Sequence, residues 1–333
     1  MFKTIHLYLS RKRAVVRFYQ EAFLDARRYL RAAKAVTVNG KHRREHLESD
    51  IIRQYHVIEK GLSMPDFRPR FGANMVRKLA RQLGEWQQLY GHKSNCANNQ
   101  IKVAHIVLNA YLRRHRELNV DISDILRESD VKAISDSDEG AGGAIPLPKV
   151  QPEDTEAFSR VVRTRTSVRD FRENRMPQRP LIEEAVSLAI RSPSVCNRQT
   201  WRVHIYEGKR AQEVLALQNG NRGFGHTIPM VIIPTSDMRY FTGSIERYQS
   251  WIDGGMFSMS LLLGLHAKGL GAVSLNWSVH NDRDAALREV AKIPDHERIM
   301  MLIGCGYARE GALVAHSPRR PIEEFIRWDA AKG

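Results

Sequence analysis

Val16, Tyr19, Phe23, Ala26, Leu30 and Ala33 recur at spacings of three and four, which draws one apolar stripe along a basic helix. Leu47, Ile51, Tyr55, Ile58 and Leu62 predict a second helix, stopping at Gly61. Val76, Leu79, Leu83, Trp86 and Leu89 predict a third, with Gly91 as its C-cap. Ile101, Ala104, Leu108 and Tyr111 predict a fourth, and no fixed-period repeat links the four. The stretch SDSDEGAGGAIPLPKVQPED (Ser135–Asp154) has no period and reads as a linker. Beyond it the pattern alternates. Helices are expected from Ala157, over Leu181–Ile190, Ala211–Leu217, around Ile252–His266 and over Ala285–Ile293. Strands are expected at Trp201–Tyr206, Met230–Thr235, Ala272–Trp277 and Arg298–Tyr307. The chain therefore divides into an all-helical region (1–128), a linker (129–152) and a mixed α/β or α+β domain (153–333). Periodicity does not choose between parallel and antiparallel pairing.

Length agrees with that division, since 333 residues suit about two domains. The most apolar run, Met256–Val273, is broken by Gly264, His266 and Lys268, so it reads as a core helix and strand rather than a membrane span. The N-terminus lacks signal-peptide order, and a cytoplasmic location is expected. Cys96, Cys196 and Cys305 are scattered, without CxxC spacing, as in proteins of a reducing compartment. Charge changes the picture more. Of a net +15, residues 1–128 hold 25 Lys and Arg against 12 Asp and Glu, so nearly all the excess lies there. Such a region attracts anionic lipid or another polyanion. No motif that reads nucleic acid accompanies it.

Several clusters are candidates for chemistry. HRREH (His42–His46) has the H-x-x-E-H spacing of inverted zinc peptidases, with Glu45 as base, but it lacks a third ligand and reads better as a solvated basic face. In YHVIEKGL (Tyr55–Leu62), Glu59 could orient His56 one turn away. In RTRTSVRDF (Arg163–Phe171), an extended chain would point Arg165, Ser167 and Arg169 the same way and continue that face with Phe171, an arrangement suited to phosphate. SPRRP (Ser317–Pro321) offers Arg319 and Arg320 as a further pair. Gly269 and Gly271 would allow a sharp turn and close backbone approach to a flat ligand. Between helix and strand, RSPSVCNRQTW (Arg191–Trp201) is dense in hydrogen-bonding side chains, with Ser194, Asn197 and Gln199 beside Cys196, a packing residue or a nucleophile without a visible partner.

Taken together, these pieces resemble the FMN-dependent nitroreductase superfamily. Arg165, Ser167, Arg169 and Phe171 match its R-x-S-x-R-x-F opening. Ser192, Pro193, Ser194, Asn197, Gln199 and Trp201 match S-P-S-x-x-N-x-Q-x-W. Gly269–Gly271 matches G-L-G, and Ile303–Tyr307 with Arg319 and Arg320 matches the closing strand and basic tail. The resemblance covers roughly Thr155–Pro321 and implies an α+β sandwich with a mainly antiparallel sheet flanked by helices. It implies FMN held by Arg165, Thr166, Ser167, Arg169, Pro193, Ser194, Val195, Asn197, Gln199, Arg319, Arg320 and the Ser274–Leu275–Asn276 segment, with Trp201 packing the turn. It further implies NAD(P)H as electron donor, an electron-poor small-molecule acceptor and a homodimer with flavin at its interface, so that turn and arginines could come from different chains. Two departures stand out. Asn276 and Trp277 are bulky where small residues are common, and the helical extension has no counterpart in the small nitroreductases, although YHVIEKGL and RPRFG (Arg68–Gly72) are similar to a longer subgroup. His204, Tyr240 and Trp277 are pocket candidates, but no side chain is expected to be an obligatory acid or base. The alternative is a scaffold or anionic-surface adaptor, peripheral to a membrane, whose flavin domain serves mainly for dimerisation.

Overall fold

The computed structural model describes residues 2–34, 40–91, 99–132, 142–173 and 175–328, with side chains from Lys12 onward; Cys96 and much of the expected linker lie outside these. The four expected N-terminal helices form: α1 (Phe2–Ala32), α2 (Arg43–Leu62), α3 (Ala73–Tyr90) and α4 (Asn99–Glu117). Their stripes meet in one core, where Ile51, Tyr55, Ile58, Val76, Leu79, Leu108 and Tyr111 are buried. Gly91 ends α3 in a right-handed rather than left-handed conformation.

The stripe on α1 is the exception. Val16, Tyr19 and Phe23 stay 56%, 68% and 67% exposed, and among the described side chains of this segment only Tyr29, Ala32 and Ala33 at the helix end are buried. The helix instead docks through a polar edge. Glu21 accepts hydrogen bonds from the Asn281 backbone (2.9 Å) and side chain (2.7 Å), and Arg28 donates to Asp284 at 2.7 Å.

Downstream come α5 (Pro152–Thr164), α6 (Arg179–Ala189), β1 (Trp201–Glu207), α7 (Gly208–Leu215), β2 (Met230–Asp237), α8 (Gln249–Ala267), β3 (Gly271–Asn276), α9 (Asn281–Ala291), β4 (Glu297–Ile299) and β5 (Met301–Gly306). The expected last strand is broken at Met300, whose N–H bonds Pro234 O at 3.0 Å. The strands lie in the order β1-β2-β5-β3, with β4 also on β2, and every strand pair is antiparallel. A parallel bridge, Ser167 to Ala272, adds the segment before α6 to the outer edge of β3.

Period-two alternation gives the sheet two apolar faces. Val231, Ile233, Val273, Leu275 and Leu302 pack against α7 and α9. Met230, Ile232, Ala272, Ile303 and Cys305 pack against α6 and α8. At Gly264 an added Cβ would stand 2.9 Å from Ala185 O, so α8 needs glycine there to lie close against α6. The result is the expected α+β sandwich with an all-helical N-terminal region. The two regions are joined by a seam: Tyr240 sits in the core of the N-terminal helices, and Ser49 donates to Tyr240 O at 2.6 Å.

Candidate functional site

The turn between α6 and β1 is built by its own side chains. Ser194 Oγ accepts from Gln199 N at 3.1 Å, and Gln199 Nε2 donates to Asn197 Oδ1 at 3.0 Å. Cys196, Asn197 and Gln199 all take positive φ, near 50°, an unusual run of left-handed residues outside glycine. Two residues that motif reading missed hold this shape. Asp253, fully buried near the start of α8, accepts from Val195 N at 3.1 Å and Gln249 Nε2 at 2.7 Å, while its carbonyl accepts from Trp201 Nε1 at 3.1 Å. Burial pushes its carboxyl above the usual range despite those donors. Arg198, within the turn, is buried and paired with Glu246 at 3.0 Å, and it donates to Tyr240 O at 2.7 Å. The only trace of Asp253 in the sequence is a lone carboxylate at the head of an apolar helix. Trp201 stacks on Phe257 with centroids 5.0 Å apart, packing the turn on the core as expected.

The arginine motif lies elsewhere. Val168 N donates to Ala272 O at 3.0 Å, and Thr164 Oγ1 lies 2.8 Å from His266 Nε2 near the end of α8. Burial, then the charge of Arg165, holds His266 below the usual histidine range. Arg165 and Arg169 form no ion pair with a carboxylate among the described residues. Arg169 stands 6.0 Å from the Phe224 ring centre. Phe171 leaves this face: it is fully buried, because its partner Ala308 draws it beneath β5. Gly271 has a different reason from the expected flat ligand, since the Val168 side chain already lies 3.0 Å from where its Cβ would be.

Ser274 and Asn276 alternate outward from β3 and line a cavity of about 1200 Å³ with Trp251, Trp277, Met300 and Met301. Its remaining wall includes Phe18 and Asp25 of α1, so the N-terminal extension is part of it. Leu275 between them is buried.

The turn does not converge with the other two patches within one chain. Asp253 and His266 anchor the turn and the arginine motif thirteen residues apart on α8, about 20 Å along its axis. Trp251 and Asp253 project about 200° apart around the helix, so turn and cavity occupy opposite sides of its first turn. Arg319 and Arg320 sit in an exposed tail and bond within it, Arg319 to Ser317 O and Arg320 to Glu324 at 3.3 Å.

Other candidates resolve structurally. His42 precedes α2 with φ 61° instead of sharing a helix face with His46. The segment is not a solvated face either, because His46 is buried 3.0 Å from Ala32 O and Glu45 pairs with Arg239 at 2.6 Å. No group of three metal-ligating side chains occurs among the described residues. His56 and Glu59 do meet, at 3.3 Å, and Glu59 also accepts from Gly143 N. His204 bonds Glu297 at 2.6 Å, Tyr240 donates to Glu48 at 3.0 Å, and Trp277 donates to Asp284 at 2.9 Å while lining the cavity.

A five-stranded antiparallel-paired sheet between two helix layers, with Arg165 and Arg169 beside the outer edge of β3, defines an α+β domain. Residues 162–218 and 207–307, within this domain, match the sequence model of the Nitroreductase family. The chain is 23% identical over 195 residues to an NADH dehydrogenase of Thermus thermophilus, covering 49% of this chain and 92% of the relative. It is 23% identical over 228 residues to a 4-nitrobenzoate reductase of Nocardioides sp., covering 52% and 91%. Among solved structures, a Nitroreductase Family Protein from Streptococcus pneumoniae is 20% identical, with TM-score 0.45, covering 51% of this chain and 99% of that one.

Proposed function

We propose that this protein is an NAD(P)H-dependent flavin oxidoreductase that holds FMN and passes electrons to an electron-poor small molecule. The observation that carries the reading is local. Arg165 and Arg169, lacking carboxylate partners among the described residues, flank the start of the strand whose far end opens Ser274 and Asn276 into a cavity of about 1200 Å³. Two guanidiniums without a carboxylate partner fit a phosphate, and a cavity walled by Trp251, Trp277 and Met300 fits a flat ring system. The residues present therefore fit FMN. Bound FMN would supply the redox chemistry, and the protein would supply position and electrostatics. Arg165, Thr166, Ser167 and Arg169 would hold the phosphate and the oxygens near it. The Ser274–Asn276 backbone would lie along the ring. NAD(P)H and the acceptor would use the same cavity in turn, a ping-pong order.

In this reading Pro193, Ser194, Val195, Asn197 and Gln199 serve the site of a second copy, with Arg319 and Arg320 completing the clamp from the tail. The separation of about 20 Å along α8 supports this, as does the exposure of apolar side chains on that helix. A helix apolar all round is normally buried, yet Ile252 and Met259 are 53% and 45% exposed. The scaffold reading rests on the exposed apolar and basic α1, with anionic surfaces as its partner. No described helix is long and apolar enough to cross a membrane.

The test is the visible spectrum of the purified protein. A yellow preparation bleached anaerobically by NADH or NADPH is expected, with Arg165→Ala and Arg169→Ala losing flavin by about tenfold or more in affinity. A wild-type preparation that stays colourless in excess FMN would reject the flavin reading and leave the scaffold.

A further inference from the structure

Four of the basic side chains of the N-terminal region meet at one cavity outside the proposed redox site. A second cavity, of about 480 Å³, opens between the C-terminal half of α1, the residues before α2, the start of α9 and the Asp295–His296 turn. Arg27, Arg28 and Arg31 line it from α1, within about 100° of the helix circumference. Lys41 and His42 line it from the second side, and Asn281 and His296 from the third. Arg28 is held in place by Asp284 at 2.7 Å and Asn281 at 3.1 Å. Arg27, Arg31 and Lys41 form no ion pair with a carboxylate among the described residues, and the one acid in the wall, Asp295, pairs with none of them. The rings of His42 and His296 stand 5.9 Å apart. Burial and the nearby Arg239 help hold both below the usual histidine range, so each carries one N–H donor at neutral pH.

Cations brought together without counter-charge repel one another, and neither α1 packing nor the sheet requires them to face one space. We propose that this cavity is a binding site for a phosphate-bearing ligand, with Arg27, Arg31 and Lys41 as its primary contacts and Arg28 as a fixed donor. Guanidinium forks bind phosphate oxygens in pairs, and a lysine adds a point charge. The site lies across α1 from the cavity lined by Ser274 and Asn276, because Asp25 lines one and Arg27 the other. It is independent of the flavin reading. The same chemistry is offered by a free phosphorylated small molecule and by a phosphorylated lipid headgroup.

Inorganic pyrophosphate titrated calorimetrically into the full-length protein tests it. Saturable binding of one ligand per chain is expected, weakening as salt rises. Arg27→Ala/Arg31→Ala should lose about tenfold or more in affinity, and so should Lys41→Gln, which lies outside any helix. Lys149→Ala/Lys209→Ala, removing two exposed charges elsewhere, should bind as wild type. Melting curves and flavin content report whether each variant is folded. Sedimentation with phosphatidylcholine vesicles carrying phosphatidylinositol bisphosphate, reversed by pyrophosphate, assigns the site to a headgroup. Pyrophosphate binding without sedimentation assigns it to a free ligand. Absence of saturable binding in both arms, or equal affinity in the cavity variants and the control, overturns the proposal.

Discussion

Arg198 is the residue on which the turn before β1 depends most. Its side chain is buried, and its charge is balanced by Glu246, which also accepts from Thr242 N at 2.7 Å. Removing one member of such a pair strands the other charge in a poorly solvated place. Arg198→Ala is therefore expected to cost about 3–5 kcal/mol in stability. The check is urea denaturation, and a loss under about 1 kcal/mol would show that water already compensates Glu246. The motif around Arg198 was legible as a dense polar turn, but its division of labour was not. Ser194, Asn197 and Gln199 spend part of their hydrogen-bonding capacity on one another, while Arg198 and Asp253 carry the buried charge. Nothing in a linear pattern separates an arginine aimed at solvent from one aimed at a carboxylate forty-eight residues away.

At the scale of elements, α1 is latched to α9 by charge rather than by its apolar stripe. Burial pushes the Asp284 carboxyl up, but Arg288, Trp277 and Arg28 outweigh it and hold the group below the usual range. Hydrogen bonds from Asn281 lower Glu21 likewise. A lowered folded pKa means the unfolded chain takes up protons first as pH falls. The latch therefore contributes fully above the ordinary carboxylate range of about 4, and loses that contribution as pH drops through the lower folded values. Hydrogen-exchange protection along α1, after correction for the intrinsic exchange rate, should be unchanged from pH 7 to about 5 and fall below about 4. Loss of protection already between pH 7 and about 5 would show that these two carboxylates do not control the latch. The helices α2, α3 and α4 pose no such question, because their stripes meet one another.

At the scale of the whole molecule, besides α1, apolar side chains are left exposed on α8 at Ile252 and Met259 and in the tail at Leu313, Phe325 and Trp328. Each such side chain buried against a partner gains roughly 1.5–3 kcal/mol. A second copy of the chain is the expected cover, in keeping with the proposed division of the flavin site. Ile252→Glu should shift the protein from dimer to monomer in light scattering and release flavin with it. A dimeric variant that keeps its flavin would place the interface away from α8. The cavity wall contributed by Phe18 and Asp25 gives the N-terminal region a place beside Ser274 and Asn276, which charge statistics could not locate.

Local periodicity determined the helices and strands here, since whether Val231 and Ile233 share a face depends only on their spacing. Turn chemistry marked the segment before β1, and the order of short motifs marked the family resemblance of the α+β domain. Tertiary structure alone decided which side of α1 meets the body, where Arg198 and Asp253 find their partners, and that the arginine motif and the polar turn stand at opposite ends of α8. The physical reason is range. Spacing within an element is fixed by a few consecutive dihedrals, whereas burial of a charge is fixed by partners as distant as Arg28 and Asp284, 256 residues apart.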